Sequence, residues 1–203
     1  QAAKSPAGFV LEGDVLMAEK KFPQAAKAYE TAYGIGKSGA LAIKVHAAYV
    51  QAGKPDEADN RLAQWLKESP DDAFVRAYAA ESAIKRGNHK EAIAQYEWLQ
   101  QKQPDNLVVL NNLAWVYQQV KDPRALETAE RAYKIKPDNA AVADTLGWLL
   151  VGQGDLKRGL ELLQKAVSLA PAALEIRYHL AQAWMKSGDK EKAEHHGLQA
   201  RIA

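Results

Sequence analysis

The sequence predicts an all-α chain: one solenoid built from six copies of a helix–turn–helix unit. Three observations lead there. A small residue recurs at Ala25, Ala58, Ala92, Ala125, Gly159 and Ala193, in steps of 33 or 34 residues, and self-similarity at that period marks arrays of stacked repeats. Pro70, Pro104, Pro137 and Pro171 each stand twelve residues beyond one of these positions, where a fixed φ and a missing N–H stop a helix. The composition is 47% hydrophobic and visibly rich in alanine, with 13 glycines and 8 prolines, which suits helices that pack closely.

The elements follow in order. The six units span about 6–38, 39–72, 73–106, 107–139, 140–173 and 174–203, as a single domain over 1–203 without a linker. Their first helices are expected at 6–19, 39–52, 73–86, 107–120, 140–153 and 174–187. Their second helices are expected at 22–35, 55–68, 89–102, 123–135, 156–169 and 190–202. Ser5-Pro6 opens the first helix with a cap and a proline at its first position. Pro70-Asp71-Asp72, Pro104-Asp105-Asn106 and Pro137-Asp138-Asn139 each bring an Asp or Asn to cap the next helix. The inner turns carry Gly87-Asn88, Lys121-Asp122-Pro123, Gly154-Asp155 and Gly188-Asp189, with Asn88, Asp122, Asp155 and Asp189 as expected caps.

A second column of residues, twelve before the first (once eleven), reads Gly13, His46, Ala80, Ala114, Gly147 and Ala181. Small side chains in both columns let the two helices of a unit approach closely, and a large one there overpacks at about 1–3 kcal/mol. His46 breaks the column, so the second unit is expected to pack more loosely.

This register resembles the tetratricopeptide repeat over essentially the whole chain, from about Pro6 to Ala203. The resemblance implies a right-handed superhelix whose first helices line a concave groove. It also implies groove positions at the second, fifth, ninth, twelfth and thirteenth residues of each unit. Carried onto this sequence, these positions are mostly small or aliphatic in units one to three. In units four to six they include Asn111, Trp115, Gln118, Gln119, Asp144, Trp148, Tyr178, Gln182, Met185 and Lys186. Amides can bond both N–H and C=O of an extended peptide, and Trp and Tyr supply large contact area with a polar tip. That mixture reads as a protein- or peptide-binding groove. The other reading of Trp115 and Trp148, equivalent residues one unit apart, is a stacking ladder inside the core. Lysines and arginines are not grouped around Asn111-Asn112, which argues against a clamp for a chaperone's C-terminal carboxylate.

Other functions find little support. Lys+Arg 27 against Asp+Glu 25 leaves a net charge of +2, without the basic face of a nucleic-acid binder. There is no cysteine, hence no thiol nucleophile and no Cys-ligated metal. No run of residues is long and apolar enough to cross a bilayer. His195-His196 are adjacent and diverge by about 100° on a helix, and His46, His89 and His179 are scattered, so no metal site and no cofactor are expected. Neither a G-x-S-x-G elbow nor a phosphate-binding glycine loop is present, and the chain is expected to be non-catalytic.

A narrower resemblance rests on Leu110-Asn111-Asn112-Leu113-Ala114-Trp115-Val116-Tyr117-Gln118-Gln119, Asp122-Pro123-Arg124-Ala125-Leu126, Asp144-Thr145-Leu146-Gly147-Trp148, Arg158 to Leu163 and Ile176 to Ala181. These segments resemble the C-terminal part of the PEP-CTERM system TPR-repeat lipoprotein family. The resemblance implies a bacterial cell-envelope location, a lipid anchor on an N-terminal segment outside this sequence, and a partner among exopolysaccharide or protein-sorting components. Two alternatives to a protein-binding scaffold are a spacer or self-association module of a longer array, and a glycan-binding accessory using Trp115, Trp148 and Tyr178. The charged second helix of unit six, with Lys190, Glu191, Lys192 and Glu194, suits a capped array end and a monomer.

Overall fold

The structure is a computed structural model that describes residues 5–195. Among these residues it is helical throughout, without a strand. The helices run α1 (Pro6–Ala18), α2 (Phe22–Ile35), α3 (Gly39–Gln51), α4 (Pro55–Glu68), α5 (Ala73–Lys85), α6 (His89–Lys102), α7 (Leu107–Gln119), α8 (Arg124–Ile135), α9 (Ala140–Gln153), α10 (Leu156–Leu169) and α11 (Leu174–Ser187). A twelfth, α12, begins at Lys190 and is described to His195. The rest of the expected 190–202 helix, with His196, lies outside the described residues.

The local signals act as their chemistry dictates. Ser5, Ser38, Asn88, Asn106, Asn139 and Asp155 each accept a hydrogen bond from a first-turn N–H, each cap contributing about 1 kcal/mol. Asp72 accepts from the N–H of Val75, and Asp189 from that of Lys192. One expected cap differs. Pro123 occupies the N-cap of α8 and contributes no side-chain bond, so the helix starts at Arg124. Asp122 instead accepts from the Arg124 N–H at 2.9 Å and from its guanidinium.

Every inner turn closes alike. The N–H groups of Lys21, Lys54, Asn88, Asp122, Asp155 and Asp189 reach back five residues to a carbonyl at 2.8–3.1 Å, the six-to-one bond of a Schellman end. The residue before each has positive φ: Gly53, Gly87, Gly154 and Gly188, but also Lys20 (φ 59) and Lys121 (φ 57).

The chain forms two compact units, Gln1–Ser82 and Ala83–Ala203, with the division inside α5. In the first, Ala25, Ala32, Ala42 and Val45 are fully buried with Tyr29 and Tyr33 around them. Gly13 makes room for the Tyr29 ring, which lies where a Cβ would stand. His46 corrects the expectation of loose packing. It has no solvent exposure, and Ala58 on the facing helix is equally buried. The imidazole is accommodated with its Nδ1 2.9 Å from the Tyr78 hydroxyl and its Nε2 facing the Asp59 carboxylate at 3.5 Å.

In the second unit, the hairpins α7–α8 and α9–α10 stack with α11 through Leu110, Val142, Leu163, Leu180 and Ala183. The second helices are tied by a ladder of ion pairs. A glutamate five residues after the recurrent small residue meets an arginine of the next second helix: Glu97 with Arg124 at 2.7 Å and Glu130 with Arg158 at 2.6 Å. Glu30 with Arg61, at 2.6 Å, repeats the device in the first unit.

Candidate functional site

Helix α9 contacts both α7 and α11, so the first helices of units four to six form one continuous face. Three amide groups, Gln118, Gln119 and Gln182, are half-buried or exposed on it. Trp115 is half-buried on α7, and the His89 ring meets it edge-on, 6.2 Å between centres at 84°. Asn111 is half-buried, its carbonyl oxygen enclosed without a donor among the described residues.

The expected residues of units five and six converge more tightly. Asp144 is buried, 8% exposed, and both its oxygens lie 2.9 Å from Nδ1 of His179. A carboxylate only accepts, so Nδ1 carries the proton. The same imidazole lies flat on Trp148, ring centres 4.7 Å apart and planes at 11°. The Lys186 ammonium stands 5.3 Å from the Trp148 ring centre, a favourable place for a cation. Tyr178 and Met185 are exposed on α11, with the Tyr178 ring 6.2 Å from that of His179.

Trp148 is thus not a bare aromatic platform. One face is taken by His179. Trp115 and Trp148 each pair with a histidine of a neighbouring helix, His89 and His179.

His179 is the residue the sequence reading passed over. Its signal was positional. Two residues before the second-column residue, units two to six carry Lys44, Tyr78, Asn112, Thr145 and His179, polar or phenolic every time. In four of these the side chain reaches back into the preceding unit. Lys44 donates to Asp14 at 2.6 Å, Tyr78 bonds His46, Asn112 donates to the Tyr96 hydroxyl at 3.0 Å, and His179 donates to Asp144. The position is a cross-repeat latch, and in unit six it also orients an aromatic groove residue.

Among the described residues no three His, Asp or Glu side chains gather as metal ligands, and no helix is long and apolar enough to cross a membrane. Residues 78–140 and 150–196 each match a family model described as tetratricopeptide repeat. The chain carries tetratricopeptide repeats. Over 129 residues it is 26% identical to the TPR repeat-containing protein PA4667 of Pseudomonas aeruginosa, an alignment covering 63% of this chain and 22% of that protein. The chain thus spans about a fifth of the length of this curated relative. Its fold is similar to that of a tetratricopeptide repeat protein from Parabacteroides merdae (TM-score 0.79, 13% identity, 94% of this chain and 77% of that one). It is also similar to YrrB, described as a TPR protein with an unusual peptide-binding site (TM-score 0.61, 18% identity, 86% and 91%). These likenesses establish the α-solenoid fold of TPR hairpins.

Proposed function

We propose that the chain is a non-catalytic interaction scaffold. The face formed by α7, α9 and α11 receives an extended peptide or a protein segment. The observation that carries this is Trp115 with Gln118 and Gln119 on α7 and Gln182 on α11, two first helices that both contact α9. Amides serve a peptide backbone in either direction, and a partly exposed Trp is a common energetic anchor. The peptide-binding site described for YrrB supports the reading by analogy of fold. In the cell, the partner we propose is an envelope component of an exopolysaccharide or protein-sorting system. Support comes from the resemblance of the segments around Asn111, Trp148 and Tyr178 to the PEP-CTERM lipoprotein family. The same resemblance supports a lipid-anchored, periplasmic location for the parent protein.

The test is capture of candidate envelope proteins by the chain, followed by titration of the peptide recovered. Trp115→Ala and Gln119→Ala are expected to weaken binding about tenfold or more, the effect of losing roughly 1.4 kcal/mol or more at an anchor, with the melting temperature of Gln119→Ala unchanged. Unaltered affinity in both variants overturns the groove assignment. Trp148→Ala is a poorer probe, because its ring also holds the junction with His179.

A further inference from the structure

The face of α7 and α9 has a composition that its surroundings do not share. Helix α7, 13 residues long, contains no Asp, Glu, Lys or Arg, and α9, with 14, contains Asp144 alone. That is far below the 26% charged content of the whole chain. Helices α8 and α10, which complete the same two hairpins, carry five and four charged residues. Burial does not account for the difference, because the open and half-open positions of α7 and α9 are uncharged as well. They include Val108, 63% exposed, with Gln118 and Gln119 on α7, and Ala141, Gly152 and Gln153 on α9. Asp144 is 8% exposed and both its oxygens lie 2.9 Å from Nδ1 of His179, so its charge is held inside the stack. On the α11 side the neutral face ends at Lys186, whose ammonium stands 5.3 Å from the Trp148 ring centre.

Val108, Asn111, Trp115 and Gln118 recur at three- and four-residue steps, which sets them along one side of α7. A partner side chain laid against them gives up water. An ammonium or carboxylate would exchange its hydration for amides and an aromatic edge, without a counter-ion, and is disfavoured. An amide keeps its hydrogen bonds through Gln118 and Gln119, and an apolar side chain gains by leaving water against Val108 and Trp115. The face therefore discriminates by what it rejects as much as by what it holds.

We propose that the partner segment received over α7 and α9 is uncharged, a stretch of apolar and amide side chains. The inference rests on the groove reading above and narrows its partner to one chemical class. Long-range charge steering contributes little at such a face. Binding is set by burial and hydrogen bonds and is insensitive to salt.

Selection by the chain from a library of random short peptides tests this. The recovered peptides are expected to be depleted in Lys, Arg, Asp and Glu relative to the library. The tightest of them is expected to hold its Kd within about twofold between about 0.05 and 0.5 M salt. Replacing one of its central residues by Lys or by Glu is expected to weaken binding about tenfold in both cases. Gln119→Glu, a change at an exposed position, is expected to break that symmetry, so that the Lys peptide regains affinity and the Glu peptide loses more. Recovered peptides as charged as the library overturn the inference. So do an affinity that falls steeply with salt, tolerance of Lys or Glu at every peptide position, a Gln119→Glu chain that treats the two peptides alike, and a selection that yields no binder. The groove reading is scored apart. Charged peptides that lose binding in Trp115→Ala keep the groove and sink its neutrality. Uncharged peptides that bind Trp115→Ala and Gln119→Ala unaltered sink the groove reading, and the inference with it.

Discussion

Gly147 and Gly159 face each other so closely that each backbone fills the space of the other's missing side chain. A Cβ on Gly147 would lie 3.0 Å from the Gly159 carbonyl oxygen, and one on Gly159 would lie 2.9 Å from that of Gly147. Backbone has little room to give, so Gly147→Ala is expected to cost about 1–3 kcal/mol. Gly152, five residues on in the same helix, has open space at its Cβ position, and Gly152→Ala is expected to stabilise by about 0.5–1 kcal/mol. Urea unfolding of the two variants should move in opposite directions.

Lys20 and Lys121 hold a left-handed conformation that four other units assign to glycine. A side chain there costs about 1–2 kcal/mol, offset in part by the greater freedom glycine has when unfolded. Lys121→Gly is expected to raise stability by up to about 1 kcal/mol, and Gly154→Lys to lower it by a similar amount. Thermal melts of the pair check the sign.

The Asp144–His179 bond joins two units inside a nearly closed site. His179→Phe keeps an aromatic ring for Trp148 but leaves the buried carboxylate without its donor, at an expected cost of about 1–3 kcal/mol. Asp144→Ala with His179→Phe is expected to cost less than the sum of the single changes. A double-mutant cycle in urea measures that coupling, and an additive result would mean the bond contributes nothing.

Acid and alkali are expected to act through different groups. Hydrogen bonds from Lys44 and then Tyr29 hold Asp14 below the usual carboxylate range. Lys37 does the same for Glu68, Arg124 for Asp122 and Lys192 for Asp189. A depressed folded-state pKa gives stability that is present above the unfolded value of about 4 and lost as pH falls through the folded one. Tyr29 and Tyr117 shift upward, first through burial and then through bonds to Asp14 and Glu97. Their contribution is complete below about pH 10 and is lost as pH rises above it. The urea midpoint should fall below about pH 4 and above about pH 10. Tyr117→Phe should flatten the alkaline limb alone.

Period and punctuation made the helices legible. Eleven small residues and four prolines placed the bounds within a residue or so, because caps and stops act locally. Asp122 misled because Pro123 can take the N-cap position itself. His46 misled because a histidine in a column of small residues reads as a clash until its partners, Tyr78 and Asp59, are known, and these come from other helices. The ten candidate groove residues lie on the helices expected for them, yet the sequence showed neither that Trp148 has lost one face to His179 nor that Asp144 is inside the junction. Such facts depend on which side chain crosses from one unit to the next, and a 34-residue period averages that away.

The latches between units are chemically distinct. Ammonium meets carboxylate at Lys44 and Asp14, phenol meets imidazole at Tyr78 and His46, amide meets phenol at Asn112 and Tyr96, and imidazole meets carboxylate at His179 and Asp144. Hairpins that look interchangeable in outline therefore carry unlike addresses. Shuffling their order would part Lys44 from Asp14 and His179 from Asp144, so each junction favours the neighbour it already has.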